Sequence, residues 1–359
     1  MTGNKVPLVS ILSSSFNHEK HVSFFIESVL AQTNPNWELI IVDDGSIDNN
    51  VAEIKKYTDT RIKFMQQPFN MGMNCALNIA LKNASGKYIV FFGSDDMMMP
   101  NFVDCIQRVI KHHPGIGVIY PNLQCIDANN KIIKNKIEPY NATRFGILRE
   151  LFYNGNVMTS PGMVIKKDAF EQIMPLDVAM SQHHDYQIHV KLLLNNDCYV
   201  LSDKLVLYRV PTRKSGMSFS TLQSRCRCNA EEKFVMDAFL TIQDTDVLNN
   251  IFGNDLKQFG TIDTKMIPYV LGCLAIQKSK NYFKKIWGYN IVAEFMNVPG
   301  HYNLLNKLYG FKYSDFLNLA NYFDASIYEK KYLKYKKLFN ITLMWVVIIL
   351  IVLIAGYVI

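Results

Sequence analysis

Three short runs constrain this chain more than anything else in it: "LVSILS" (8–13), "WELIIVDDGS" (37–46) and "YIVFFGSDD" (88–96). Each is mostly apolar on consecutive positions instead of alternating ones, the pattern of a strand covered on both faces in a parallel sheet. Between them, apolar residues recur at helical spacing. Val22, Phe25, Ile26, Val29 and Leu30 mark one helix, Val51–Tyr57 a second and Asn74–Asn83 a third, with "RIKFMQQ" as an intervening strand. A further helix is expected over Pro100–His113, then the strand "GVIYPN". Such alternation with short connections implies a parallel sheet wound with helices. Ligands bind such sheets beyond the carboxyl ends of the strands. That rule gathers Ser14–Asn17, Asp43–Asp44 and Asp95–Asp96 on one rim. Two adjacent carboxylates repel unless something positive lies between them, so Asp95 and Asp96 mark either a solvated turn or a place for a metal ion.

After Tyr120 the pattern changes. "CIDANNKIIKN" reads as a hairpin around Ala128–Asn130, and Arg144–Tyr153 as an amphipathic helix. "MTSPGMVIKK" reads as a strand, "HHDYQIHVKLLLNN" as a helix and "CYVLSDKLVLYRV" as one long strand or a pair. A loop, "PTRKSGMSFS", then leads into Thr221–Phe339, which is helical in pattern and shows no catalytic cluster. The chain is therefore expected to divide into an α/β catalytic domain (1–220), a helical accessory region near the membrane (221–338) and a C-terminal transmembrane anchor (339–359).

The anchor follows from "ITLMWVVIILIVLIAGYVI" (341–359). As a helix these residues would span about 28 Å, close to the hydrocarbon thickness of a bilayer. Five lysines in "KKYLKYKK" (330–337) precede it and account for most of the formal net charge of +7. Positive flanks stay cytoplasmic, so the catalytic domain is expected on the cytoplasmic face, as part of a single-pass membrane protein. The basic balance points to an anionic membrane surface and away from nucleic acid. Seven cysteines without paired CxxC spacing fit free thiols in a reducing compartment.

Taken in order, four segments resemble family 2 glycosyltransferases, inverting enzymes of the GT-A fold that use nucleotide sugars. They are "PLVSILSSSFNHEKHVSFFIESVLAQTNPNWELIIVDDGSIDNN", "NMGMNCALNIALKNASGKYIVFFGSDDMMMP", "HHDYQIHVKLL" and "LYRVPTRKSGMS". The resemblance covers about the first 60% of the chain. It implies a Rossmann-like, mostly parallel sheet flanked by helices, and transfer of one sugar from a nucleoside diphosphate sugar, a UDP-sugar by family expectation. The acceptor hydroxyl would belong to a membrane-associated glycolipid or polyprenyl-linked saccharide.

By the same resemblance Asp96 is a metal carboxylate, and Asp95 bridges toward the ribose or the ion, which would be Mn²⁺ or Mg²⁺. Gly93 stands where most relatives have the first Asp of DxD. Asp44 is similar to the residue that contacts the base. Ser14, Phe16 and Asn17 match the first-strand loop, with Asn17 also readable as a helix N-cap. Gly72 would allow close backbone approach, and Arg209 begins the loop that folds over the diphosphate with Arg213 and Lys214. Asp185, at a helix start where the dipole favours its charged form, is similar to the base that deprotonates the acceptor. A nucleotidyltransferase and a non-catalytic nucleotide-sugar-binding membrane protein remain as alternatives. The first lacks a basic loop after the opening strand, and the second would have no use for Asp185.

Overall fold

The opening strand β1 (Val9–Ser15) is followed by helix α1 (Val22–Leu30), whose buried Val22, Phe25, Ile26 and Val29 lie on one stripe. Strand β2 (Trp37–Asp43), the short helix α2 (Asn50–Ile54), β3 (Ile62–Gln66) and α3 (Met73–Lys82) come next. Strand β4 (Tyr88–Phe91) is buried throughout, as its unbroken apolar run requires. In this computed structural model the described residues are 6–135, 137–210, 221–323, 336, 337 and 339. The expected loop at 211–220 lies outside them, as does the expected anchor apart from Phe339.

A two-residue strand, β5 (Met97–Met98), precedes α4 (Phe102–His112) and β6 (Val118–Ile126). Pro100 sits just ahead of α4 and not in its first turn. Helix α5 (Arg144–Tyr153), strand β7 (Val164–Lys166), α6 (Lys167–Glu171) and α7 (His184–Asn195) lead to β8 (Cys198–Arg209), a single long strand. The eight strands form one sheet in the order β3-β2-β1-β4-β7-β6-β8-β5. Strands β3, β2, β1 and β4 are parallel, β7 is antiparallel to both neighbours, and β6 and β8 are parallel. Ser15 lies opposite Asp43 and Asp43 opposite Gln66, so these strands end together at one edge. The expected α/β sheet is present, with its carboxyl rim where the sequence pattern places it.

Helices α8 (Leu222–Asp237), α9 (Thr245–Phe252), α10 (Ile267–Lys278) and α11 (Tyr282–Asn297) follow. Phe152 of α5 meets Phe239 in the turn after α8, Phe252 of α9 and Trp287 of α11 edge to face, so these elements share a core with the α/β part. Contacts divide the chain into Met1–Phe295 and Met296–Ile359. The second unit contains α12 (His301–Tyr309), bounded by left-handed Gly300 and Gly310, and α13 (Tyr313–Asn318). Among the described residues no single helix is long and apolar enough to cross a membrane. All seven cysteines are unpaired.

The bend after β2 depends on Gly45, whose φ is +73°. A Cβ there would lie 2.3 Å from the Phe69 carbonyl carbon and 2.6 Å from Asn70 N, against backbone that cannot swing away. Gly45→Ala is expected to cost at least about 2 kcal/mol in urea unfolding through strain and overlap. A midpoint equal to that of the wild type would refute the close approach.

Candidate active site

Strand β4 runs out at Phe91, and the chain turns through Gly93–Asp96, where Asp96 N donates to Gly93 O (3.2 Å). β5 then pairs with β8, Met97 opposite Leu207, which delivers Arg209 to the acidic pair. Arg209 N donates to Asp96 Oδ1 (2.8 Å). Asp96 is buried and Asp95 half-buried. An ideal Cβ on Gly93 would lie 2.7 Å from Asp95 Oδ1 and 3.2 Å from Asp96 Oδ2, so both carboxylates face the space that a side chain at 93 would fill. Burial, then the Asp95 charge, pushes Asp96 well above the usual carboxylate range.

The guanidinium of Arg209 is committed elsewhere: Nε donates to Asp95 O (2.7 Å), one terminal nitrogen to Asp127 O (2.8 Å) and the other to Asn130 Oδ1 (2.5 Å). It pins the 127–130 turn to the acidic pair. Among the described residues no cationic side chain forms an ion pair with Asp95 or Asp96, and no group of three His, Cys, Asp or Glu suits a metal. Two converging carboxylates fit a hard divalent cation that takes its other ligands from water and a diphosphate.

The remaining rim residues brace one another. Asp44 Oδ1 accepts from Gln67 Nε2 (2.6 Å) and Met71 N (2.7 Å), and Oδ2 from Gly72 N (2.9 Å). Burial raises its pKa, against the pull of the Met71 and Gly72 hydrogen bonds. Gly72 has φ +92°, and a Cβ there would meet only Val178 O at 3.9 Å, so its backbone angle is what calls for glycine. Asn17 is not a helix cap. Left-handed at φ 55°, it accepts from Ile47 N (2.9 Å) through its side chain and donates from its own N to Ser46 Oγ (2.9 Å). Phe16 beside it is exposed, and Ser14 lies opposite Val42 near the end of β1.

A chain of hydrogen bonds joins this rim to the acidic turn. His18 Nδ1 lies 2.7 Å from Ser94 Oγ, which donates to Ser15 Oγ (2.9 Å). Ser15 Oγ donates to Asn50 Oδ1 (3.0 Å), and Asn50 Nδ2 to Asp43 Oδ1 (2.7 Å). Asp43 is thus a buried brace.

Asp185 is the second residue of α7 and half-buried; its Oδ1 accepts from Tyr186 N (2.7 Å). The segment leading to it is tied to α3: Asn74 Nδ2 donates to Asp177 O (2.8 Å), and Asn78 exchanges hydrogen bonds with the Leu176 backbone (3.0 and 2.9 Å). His183 Nε2 lies 3.5 Å from Glu232 Oε2, and His184 Nδ1 3.4 Å from Ser181 O. Each histidine therefore has a protein neighbour.

Residues 10–174 match the family described as Glycosyl transferase family 2. The chain carries a family 2 glycosyl transferase domain. Over 143 residues it is 38% identical to the Escherichia coli protein UDP-Glc:alpha-D-GlcNAc-diphosphoundecaprenol beta-1,3-glucosyltransferase WfgD, covering 40% of this chain and 55% of WfgD. The match thus spans little more than half of that relative. In fold, the chain resembles S. aureus TarS 1–349 in complex with UDP-GlcNAc (TM-score 0.55, 17% identity, 83% of each chain). It also resembles the Pyrobaculum calidifontis mannosyltransferase PcManGT in complex with GDP-Man and Mn²⁺ (TM-score 0.51, 14% identity, 89% of this chain and 85% of that one).

Around this site the sequence pattern missed several groups, some inside the matched domain and some beyond residue 174. His18 and Ser94 lie beside residues it singled out and could have been found by asking what neutralises the strand-end loops. Glu231, Glu232 and Lys284 could not, because they come from α8 and α11, distant in sequence from Asp185. Glu231 is buried and accepts from Ser181 N (3.0 Å), Ser181 Oγ (2.7 Å), Gln182 N (2.8 Å) and His183 N (2.7 Å). Burial pulls its pKa up, but these hydrogen bonds outweigh it and hold the carboxyl below the ordinary glutamate value.

Proposed function

We propose that the protein is a metal-dependent inverting glycosyltransferase that moves one sugar from a UDP-sugar to an acceptor hydroxyl of a membrane-borne, polyprenyl-linked saccharide. The observation that carries this is the pair of converging carboxylates, Asp95 and Asp96, on the strand rim of a family 2 domain. WfgD, whose name specifies a UDP-glucose donor and a diphosphoundecaprenol-linked acceptor, supports the donor and acceptor classes. The lysine-flanked apolar tail supports attachment to the cytoplasmic face through 339–359.

Asp95 and Asp96 would hold Mn²⁺ or Mg²⁺, which supplies positive charge for the departing diphosphate. Asp44, with Phe16 and the 14–17 and 67–72 loops, would frame the nucleoside. Arg209 serves the donor indirectly, by fixing Asp96 and the 127–130 turn. Asp185 would accept the proton of the acceptor hydroxyl as its oxygen attacks the anomeric carbon from the face opposite the nucleotide, which gives inversion.

The test is nucleotide release from UDP-glucose, UDP-N-acetylglucosamine and GDP-mannose by the full chain in detergent. Each is run with a membrane lipid extract and with Mn²⁺, Mg²⁺ or EDTA. Release from one donor, dependent on metal and raised by lipid, is the expected result. Donor binding without release under every condition would favour a binding protein instead. Asp96→Asn keeps the acceptor for Arg209 N but removes a charge. It is expected to weaken Mn²⁺ binding, read by electron paramagnetic resonance, on the order of 10–100-fold. Undiminished binding would remove Asp96 from the metal site.

A further inference from the structure

The groups that this reaction leaves unused concentrate behind the first turn of α7. Glu231 and Glu232 are neighbours on α8, both buried, and they reach in different directions. Glu231 takes all four of its hydrogen bonds from residues 181–183. Glu232 lies 3.5 Å from His183 Nε2 and 3.6 Å from Lys284 Nζ, and accepts from Asn281 Nδ2 (3.3 Å). Lys284, wholly buried, donates to Leu151 O (2.6 Å), Phe152 O (2.9 Å) and Tyr186 Oη (2.7 Å). The three residues before α7 are thus held from one side, and its third residue from beneath.

The N-cap residue of α7, His183, makes no side-chain capping bond, and the turn ahead of it is held through its backbone N–H groups by Glu231. An anionic partner there also complements the positive end of the helix. Asp185 begins two residues beyond the held segment, so its carboxylate goes where that turn goes.

We propose that Glu231 is a positioning residue for Asp185, with the Glu232–Lys284 pair as its buried footing, so that α8 belongs to the working site. The inference rests on the reading of Asp185 as the base. Displacing a reacting group by about 1 Å can cost on the order of 100-fold in rate. Glu231→Gln keeps the shape but turns an NH₂ toward backbone donors, and Glu231→Asp keeps the charge on a shorter arm.

The experiment measures kcat and donor KM for the sugar nucleotide that the wild type cleaves. It also measures the Kd of the released nucleotide and the thermal midpoint, for wild type, Asp185→Asn and both Glu231 variants. Glu231→Gln is expected to lower kcat by about 10–100-fold. Nucleotide Kd and donor KM should change by less than about twofold, and Glu231→Asp should recover part of the loss. A lowered midpoint with wild-type kcat, or kcat and nucleotide affinity falling together, would overturn the positioning role. A wild type that releases nucleotide from no donor would instead overturn the reading of the reaction, and this inference with it.

Discussion

Asp185→Asn is expected to abolish measurable turnover while leaving the protein folded and able to bind its nucleotide. Asn retains an oxygen for Tyr186 N, which donates to the Asp185 carboxylate (2.7 Å), so α7 keeps its first turn. What is lost is the capacity to accept a proton, and general-base assistance contributes about 10²–10⁴ in rate. Steady-state nucleotide release and an equilibrium titration with the nucleotide, run on the same preparation, separate the two effects. Residual turnover above about a tenth of the wild type would mean that another group serves as base.

The second large effect is on stability. Lys284→Met is expected to lower the unfolding free energy at pH 7 by about 3–5 kcal/mol, the range for breaking a buried pair by removing one partner. Met fits the volume, but Glu232 and the Leu151 and Phe152 carbonyls lose a cation or a donor. Burial holds the Lys284 pKa down at about 8, against the pull of Glu232. Between pH 8 and the unfolded value of 10.5 the folded lysine has released its proton while the unfolded one keeps it. The unfolded state then binds more protons, so this group makes the wild type more stable as pH rises through that window. Below pH 8 both states are protonated and the contribution is flat. The gap between wild type and Lys284→Met should therefore widen from pH 8 toward 10.5, by up to about 3 kcal/mol. Urea unfolding of both proteins across that range checks it; a constant gap would mean that Lys284 titrates normally.

Why was one side of the site legible in the sequence and the other not? The strand rim is local. An apolar run that stops at Asp43–Asp44 or at Gly93–Asp96 carries its own end signal, and parallel pairing then brings the ends together. The α/β sheet, the acidic pair and the helix start at Asp185 were all readable for that reason. What escaped is the use to which those residues put one another. Asp44 reads as a free ligand but spends three hydrogen bonds on the 67–72 loop. Arg209 reads as a phosphate cation but spends two of its guanidinium bonds on the 127–130 turn and the third on the Asp95 carbonyl. Hydrogen-bond partners chosen from 23 to 133 positions away leave no period or spacing in the chain. The α8 segment illustrates this best: "AEEKF" looks like a solvated helix face, yet both glutamates are buried.

The placement of Lys284 also dictates an order of events during synthesis. β1, β2, β3 and β4 can pair as soon as the first hundred residues have left the ribosome. Tyr186 meets Lys284 only 98 residues later in the chain. At about 5–20 residues per second that interval lasts roughly 5–20 s. During it the strand rim is completed when β8 brings in Arg209, α8 arrives midway, and α7 still has no footing. For the proposed reaction, a growing chain would therefore gain the rim that holds the sugar nucleotide before the group that acts on it is fixed.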